Sequence, residues 1–204
     1  MYIANGKAQD RNLIPDMSVV DLILMDHSYL KSCIEILISE KTDKRKKLAA
    51  GKSFVDALLV HSEAEKVSVY HRLQENERFH FKILESLVEH DLIDKKIHGL
   101  KKELAGARGL RDEMKAELKV LAELVKKHVM DEEVNLLGQM REFLSQQTLR
   151  EMALHFNEIR KFTLKDFAEI PMLQEELVEW KDSIQKLSSE FLTKMDKFVE
   201  DMHH

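Results

Sequence analysis

The chain has 204 residues, 44% of them apolar and 34% charged, yet it holds only six glycines and two prolines. So few turn formers exclude a collagen-like, loop-rich or turn-dense β architecture and leave long helices, over a length ample for a real core. A net charge of −5 with acids and bases interspersed excludes a basic nucleic-acid footprint, and no apolar run approaches the roughly eighteen residues of a membrane span.

The single cysteine, Cys33, leaves no internal disulfide framework and fits a reducing cytoplasm. The stretch Met1 to Lys7 lacks the apolar run of a secretory signal. The expectation is a cytoplasmic, all-α protein with neither nucleic-acid nor membrane partners.

Along the chain, residues 1–17 form an N-terminal segment that ends at a helix start. Ser18-Val19-Val20-Asp21 resembles a capping box with Asp in place of Glu, and apolar periodicity follows at Ile23, Leu30, Ile34 and Leu37. Polar Lys41-Thr42-Asp43 closes that helix or opens the next. A second helix runs to about Glu75 with Phe54, Ala57, Leu58 and Val69 on its inner stripe, weakened near its start by Gly51. Glu75-Asn76-Glu77 reads as a short turn. The third helix carries Ile83, Leu87, Ile93 and Ile97, and ends at the clearest break in the sequence, Gly106-Ala107-Arg108-Gly109. A fourth runs from about Arg111 to Phe143, with Leu118, Leu121, Leu124, Val125 and Leu136 inward. Four long helices with short connections predict an antiparallel up-down four-helix bundle over residues 18–145.

Residues 146–204 read as an extension of two additional C-terminal helices. Ser145-Gln146-Gln147 opens one that reaches about Phe162, and a break follows between Asp166 and Pro171. The last helix places Leu173, Leu177, Trp180, Ile184, Leu187 and Phe191 on a strict heptad seam, with Phe198 returning to it. That seam suits either a fold-back on the bundle or a homodimer.

Four of the ten histidines lie on apolar stripes, one per bundle helix: His27, His61, His90 and His128. Two are followed four residues later by a carboxylate on the same face, giving His61-x-x-x-Glu65 and His128-x-x-x-Glu132. In antiparallel helices, residues equidistant from the intervening turn share a height. The midpoints between successive histidines fall at Lys44, between Glu75 and Asn76, and at Gly109, each on a turn proposed for independent reasons. Four imidazoles and two carboxylates therefore converge at mid-bundle.

An apolar interior penalises such groups heavily, and metal cations reverse the cost. Imidazole suits iron, zinc, copper or nickel, and carboxylates bridge ions, so the set is a natural dinuclear one with room for a solvent bridge and an exogenous ligand. His71, His80, His98 and His155 lie away from this height and are expected in solvent; His203 and His204 form a tail. Glu77-x-x-His80 and Glu200-x-x-His203 match the Glu-x-x-His motif of ferritin-like oxidases, but one starts a helix beside a turn and the other sits in the tail.

The pattern His27, His61-x-x-x-Glu65, His90, His128-x-x-x-Glu132 resembles the hemerythrin-like HHE cation-binding domain. Leu24-Met25-Asp26-His27 is similar to the acidic-His signature of that family's first helix, and Val88-Glu89-His90 repeats it. Glu65-Lys66-Val67-Ser68-Val69-Tyr70 and Glu132-Glu133-Val134-Asn135-Leu136-Leu137 resemble the segments after each bridging glutamate. Leu144 to Met152 is similar to the region after the fourth helix, so the likeness spans about residues 18–162.

The resemblance implies two non-haem Fe ions, oxo- or hydroxo-bridged, with Glu65 and Glu132 as bridges, His27 and His61 on one iron and His90 and His128 on the other. The oxygen-carrying hemerythrins have two histidines four apart in the third helix, where this chain has Ser86 and Asp94 flanking His90. Their last bridging carboxylate is five residues after its histidine, and Glu132 is four after. These departures point away from reversible oxygen carriage. They favour binding or sensing of oxygen, nitric oxide or iron or, alternatively, a di-iron redox enzyme consuming peroxide, oxygen or nitric oxide, the partner being a small diatomic or peroxide ligand.

Asp94 is a candidate extra ligand, supporting residue or exposed residue, and Ser86 a helix-packing residue. Tyr29 and Tyr70 are candidate hydrogen-bond donors or ligands, Tyr70 also reading as a packed aromatic near the bundle end. Asp26 and Glu89 either orient neighbouring histidines or face partly outward.

Overall fold

A computed structural model describes residues 17–168, and these residues are all-helical, with no strand among them. Five helices follow in chain order: α1 (Val19–Ile38), α2 (44–73), α3 (His80–Ala105), α4 (112–143) and α5 (Gln146–Ala168). Helices α2 and α4 each run through one π-helical turn, Lys66–Tyr70 and Glu132–Leu136.

The helix starts follow from local chemistry. The Ser18 backbone N–H donates to the Asp21 carboxylate at 2.9 Å and the Asp21 N–H to Ser18 Oγ at 3.3 Å, the reciprocal box expected from sequence. Asp43 caps α2 by accepting from the Lys46 N–H at 2.9 Å, and Ser145 caps α5 by accepting from the Thr148 N–H at 3.0 Å. Between α2 and α3 the Asn76 carbonyl accepts from the N–H groups of Phe79 and His80, forming the expected turn. The helix opened by Ser145 extends to Ala168, past the predicted end at Phe162 and through the start of the predicted break at Asp166. The heptad helix over 173–198 lies outside the described residues.

Neighbouring helices touch in opposite order along their lengths. On α1 and α4, Asp21 meets Arg141 at 2.8 Å and Lys31 meets Glu133 at 2.6 Å. Between α3 and α4, Lys82 meets Asp131, and Glu103 meets Arg111, the residue just before α4, both at 2.8 Å. On α2 and α3, Lys66 meets Asp94 at 2.9 Å and Asp56 meets Lys101 at 3.9 Å. Gly51 lies where α2 comes close to α4: a Cβ there would stand 2.8 Å from Leu118 Cδ1.

Apolar side chains gather in two clusters. One joins Leu30 to Leu37 with Leu48 to Leu58, Ile93 to Leu104 and Leu110 to Val129. The other joins Val19 to Ile23 with Ala64 to Leu73, Phe79, Ile83 and Leu136 to Met140, and is completed by Leu149, Met152, Ala153 and Phe156 of α5. Leu87 and Leu124, predicted inward, are half-buried at the margins of these clusters. Between the clusters runs a fully buried polar layer. Among the described residues, no helix is long and apolar enough to cross a membrane.

Candidate metal centre

The polar layer consists of His27, His61, Glu65, His90, His128 and Glu132, none more than 2% exposed. They fall into two groups of mutually close donor atoms: His27, His61, Glu65 and Glu132 in one, and Glu65, His90 and His128 in the other. Glu65 Oε2 lies 3.1 Å from His61 Nε2 on its own helix and 3.5 Å from His90 Nε2 on the next. Glu132 Oε2 lies 3.6 Å from His128 Nε2 and 3.4 Å from His27 Nε2 across the bundle. Each carboxylate thus faces both groups. His71, His80, His98 and His155 are exposed, away from this layer.

The outer nitrogen of every ring is engaged away from the layer. His27 Nδ1 meets Glu133 Oε1 at 3.1 Å, His61 Nδ1 meets Asp26 Oδ2 at 3.4 Å, His90 Nδ1 meets Ser62 Oγ at 2.7 Å, and His128 Nδ1 meets Glu89 Oε2 at 2.8 Å. Ser62 donates its own proton to Asp94 Oδ1 at 3.2 Å, so it accepts from His90. In the neutral rings all four Nδ1 atoms therefore carry hydrogen, and four Nε2 lone pairs point inward. Those of His90 and His128 are 3.0 Å apart. His27 Nε2, His61 Nε2, Glu65 Oε1 and Glu132 Oε2 are buried without a hydrogen-bond partner. Lone pairs converging on one another, with orphaned carboxylate oxygens among them, fit metal cations.

The groups respond electrostatically to the same demand for positive charge. Burial alone drives the His61 imidazole down, but the Glu65 charge beside it and the contact with Asp26 outweigh it and push it up to about 10. Burial also opposes charge on His27, which the nearby carboxylates of Glu132 and Glu133 raise overall. His90, backed by a neutral hydroxyl, is pushed down by burial. Glu65 is held well below the ordinary carboxylate range despite its burial, by His61 and His90. Protons on imidazoles balance the buried carboxylates where a metal would otherwise do so.

The two halves of the bundle repeat this arrangement with one pair of charges exchanged. The acid preceding the first histidine of each half, Asp26 or Glu89, serves the second histidine of that half. Lys31, four residues after His27, pairs with Glu133, the residue after Glu132. Asp94, four after His90, pairs with Lys66, the residue after Glu65. A lysine at 66 cannot accept from His90, and Ser62 takes that role.

Sequence reasoning placed the six layer residues but missed several neighbours. Asp94 lies outside both donor groups and supports His90 through Ser62. Asp26 and Glu89 support the histidine of the following helix rather than the adjacent one, and Asp26 is buried. Tyr70 is not a bystander at the bundle end: its Oη lies 2.6 Å from Glu132 Oε1 and 2.9 Å from His90 Nε2. Tyr29 instead packs, partly buried, against the apolar cluster that includes Leu30 and Cys33. Glu133, Ser62 and Arg160 were not anticipated. Arg160 on α5 reaches Asp26 Oδ1 at 2.8 Å, and Phe156 meets the His61 ring edge-on at 6.4 Å.

Two supporting carboxylates set an acid limit on the fold. Hydrogen bonding to His128, then Lys127, holds Glu89 down from 4.5 to about 2, and His27, then Lys31, do the same for Glu133. Their contribution to stability is complete above pH 4.5 and is lost as pH falls towards 2. Circular dichroism of metal-free protein during acid titration is expected to show loss of stability in that window. The double variant Glu89→Gln, Glu133→Gln is expected to start less stable and to flatten that limb.

The sequence model of the hemerythrin HHE cation binding domain matches residues 18–140, from the cap of α1 to near the end of α4. No curated protein and no solved structure was found to match the chain. With the match covering more than half of the sequence and the donor set within it, the chain belongs to the hemerythrin HHE cation-binding domain family.

Proposed function

We propose that α1 to α4 form the antiparallel up-down bundle of this family and hold two non-haem irons between them. Glu65 and Glu132 bridge the ions; His27 and His61 complete one and His90 and His128 the other. The observation that supports this best is the tautomer pattern: four outer nitrogens donate to four acceptors, so four inner lone pairs are committed to a shared interior. The opposite order of inter-helix contacts supports the bundle.

Bound iron would supply redox change and affinity for small diatomic or peroxide ligands. The protein's own share is to fix ring orientation through Glu133, Asp26, Ser62 and Glu89, and to exclude water with an apolar cluster on each side. Every histidine and glutamate of the layer is used in holding metal, which leaves little machinery for elaborate substrate chemistry. Binding or sensing of oxygen, nitric oxide or iron is therefore the function proposed.

Stopped-flow mixing of anaerobic, iron-loaded, reduced protein with oxygen, peroxide and nitric oxide tests it. A stoichiometric adduct that persists is expected. Multiple turnovers of any of the three would replace this reading with a redox enzyme.

A further inference from the structure

Tyr70 is fully buried, and its hydroxyl is surrounded by acceptors. Oη stands 2.6 Å from Glu132 Oε1, 2.9 Å from His90 Nε2 and 3.3 Å from Glu65 Oε2. A phenol has one proton and can satisfy one of the three. His90 Nε2 holds a lone pair, because its Nδ1 hydrogen goes to Ser62. After one bond to Glu132, the oxygen still faces a nitrogen lone pair and a second carboxylate. Ser86, itself buried, lies near the same oxygen. Such convergence is costly between these atoms alone and favourable around a cation.

The distances fit. Donors about 2.0–2.2 Å from one ion stand about 3 Å apart in octahedral array, and Oη to His90 Nε2 and His90 Nε2 to His128 Nε2 measure 2.9 and 3.0 Å. The close donor clusters are also unequal: the one at the His27 pole takes in both glutamates, whereas at the His90 pole Glu132 Oε2 stands off at 3.6 Å from His128 Nε2. Tyr70 stands at the poorer one.

We infer that Tyr70 Oη is a further protein ligand of the metal held by His90, His128 and the two bridging glutamates, adding a fifth residue there. This rests on the dinuclear reading above. On coordination the phenol O–H bond gives way to an Oη–metal bond and the proton leaves to buffer. The metal at this pole then carries an anionic oxygen donor that its neighbour lacks, so the two ions are chemically distinct.

The test uses the full chain loaded anaerobically with ferrous iron and oxidised by ferricyanide, each iron giving one electron. A visible phenolate-to-ferric charge-transfer band is expected, with resonance Raman modes that shift when the tyrosines are ring-deuterated. Tyr70→Phe is expected to keep its iron by elemental analysis and lose the band; Tyr29→Phe is expected to keep both. Deuterium labelling needs no variant, so misfolding of Tyr70→Phe would not remove the test. Iron-loaded wild-type protein without tyrosinate modes, or a Tyr70→Phe variant that retains them, overturns this assignment alone. A chain that takes up no iron overturns the dinuclear reading, and the assignment with it.

Discussion

Glu65→Ala and Glu132→Ala are each expected to abolish tight metal binding at both poles rather than at one. Each carboxylate faces both donor groups, Glu65 at 3.1 Å from His61 and 3.5 Å from His90, and Glu132 at 3.4 Å from His27 and 3.6 Å from His128. Losing one removes a negative charge shared by both poles and leaves mainly neutral imidazoles to hold two cations.

The readout is the gap between metal-loaded and metal-free stability. A ligand present at about a thousand times its dissociation constant adds about 4 kcal/mol to a folded protein, and that increment is expected to vanish in both variants. Metal-free stability should fall less, because each substitution also removes a buried carboxylate that the imidazoles and the Tyr70 hydroxyl must otherwise balance. Thermal unfolding with and without metal, beside elemental analysis, separates lost coordination from lost packing. A metal-dependent increment preserved in either variant would remove that residue as a bridge.

Arg160→Met is expected to destabilise the protein by about 3–5 kcal/mol, the usual result of stripping one partner from a buried ion pair. Arg160 and Asp26 are 10% and 7% exposed, their charged atoms are 2.8 Å apart, and Asp26 is the acceptor for His61 Nδ1. The Asp26 carboxylate then remains buried beside the polar layer with only the His61 ring to balance it. Adding Asp26→Asn, which removes the stranded charge, is expected to recover most of the loss in urea unfolding. If the double variant were as unstable as the single one, the arginine would matter through packing on Phe156, over which its guanidinium lies at 5.6 Å.

Because Arg160 and the apolar face of α5 lie beyond residue 140, the family-matched segment is not the whole of the centre. The predicted division between a bundle at 18–145 and an extension from 146 is crossed at this point by core packing and by the Arg160–Asp26 bond.

The six layer residues were legible in sequence because helical periodicity and turn midpoints depend only on spacing. Tyr70 was misplaced for a related reason. On a regular α-helix at about 100° per residue, a side chain five positions after Glu65 points about 140° away. The π turn at Lys66–Tyr70 bonds each residue to the fifth one on and turns Tyr70 towards the layer. Its twin at Glu132–Leu136 also begins at a glutamate of the layer. A hint existed in the repeated Glu-x-Val-polar-apolar pattern after both glutamates, but no simple periodicity converts that pattern into a π turn.

Arg160 and Glu133 were out of reach for another reason. One comes from a helix whose packing partner the sequence does not name, and the other shows its role only beside the exchanged Lys66–Asp94 pair. Asp26 and Glu89 suggested their neighbours in sequence, whereas a helix turns successive residues about 100° apart and delivers each acid to the next helix instead.

The most direct test is the metal content of the full chain after anaerobic ferrous loading and removal of unbound ion. The donor geometry predicts saturation at about two irons per chain, with both lost together from Glu65→Ala. Saturation at one iron, or no retained transition metal at all, would contradict the dinuclear centre.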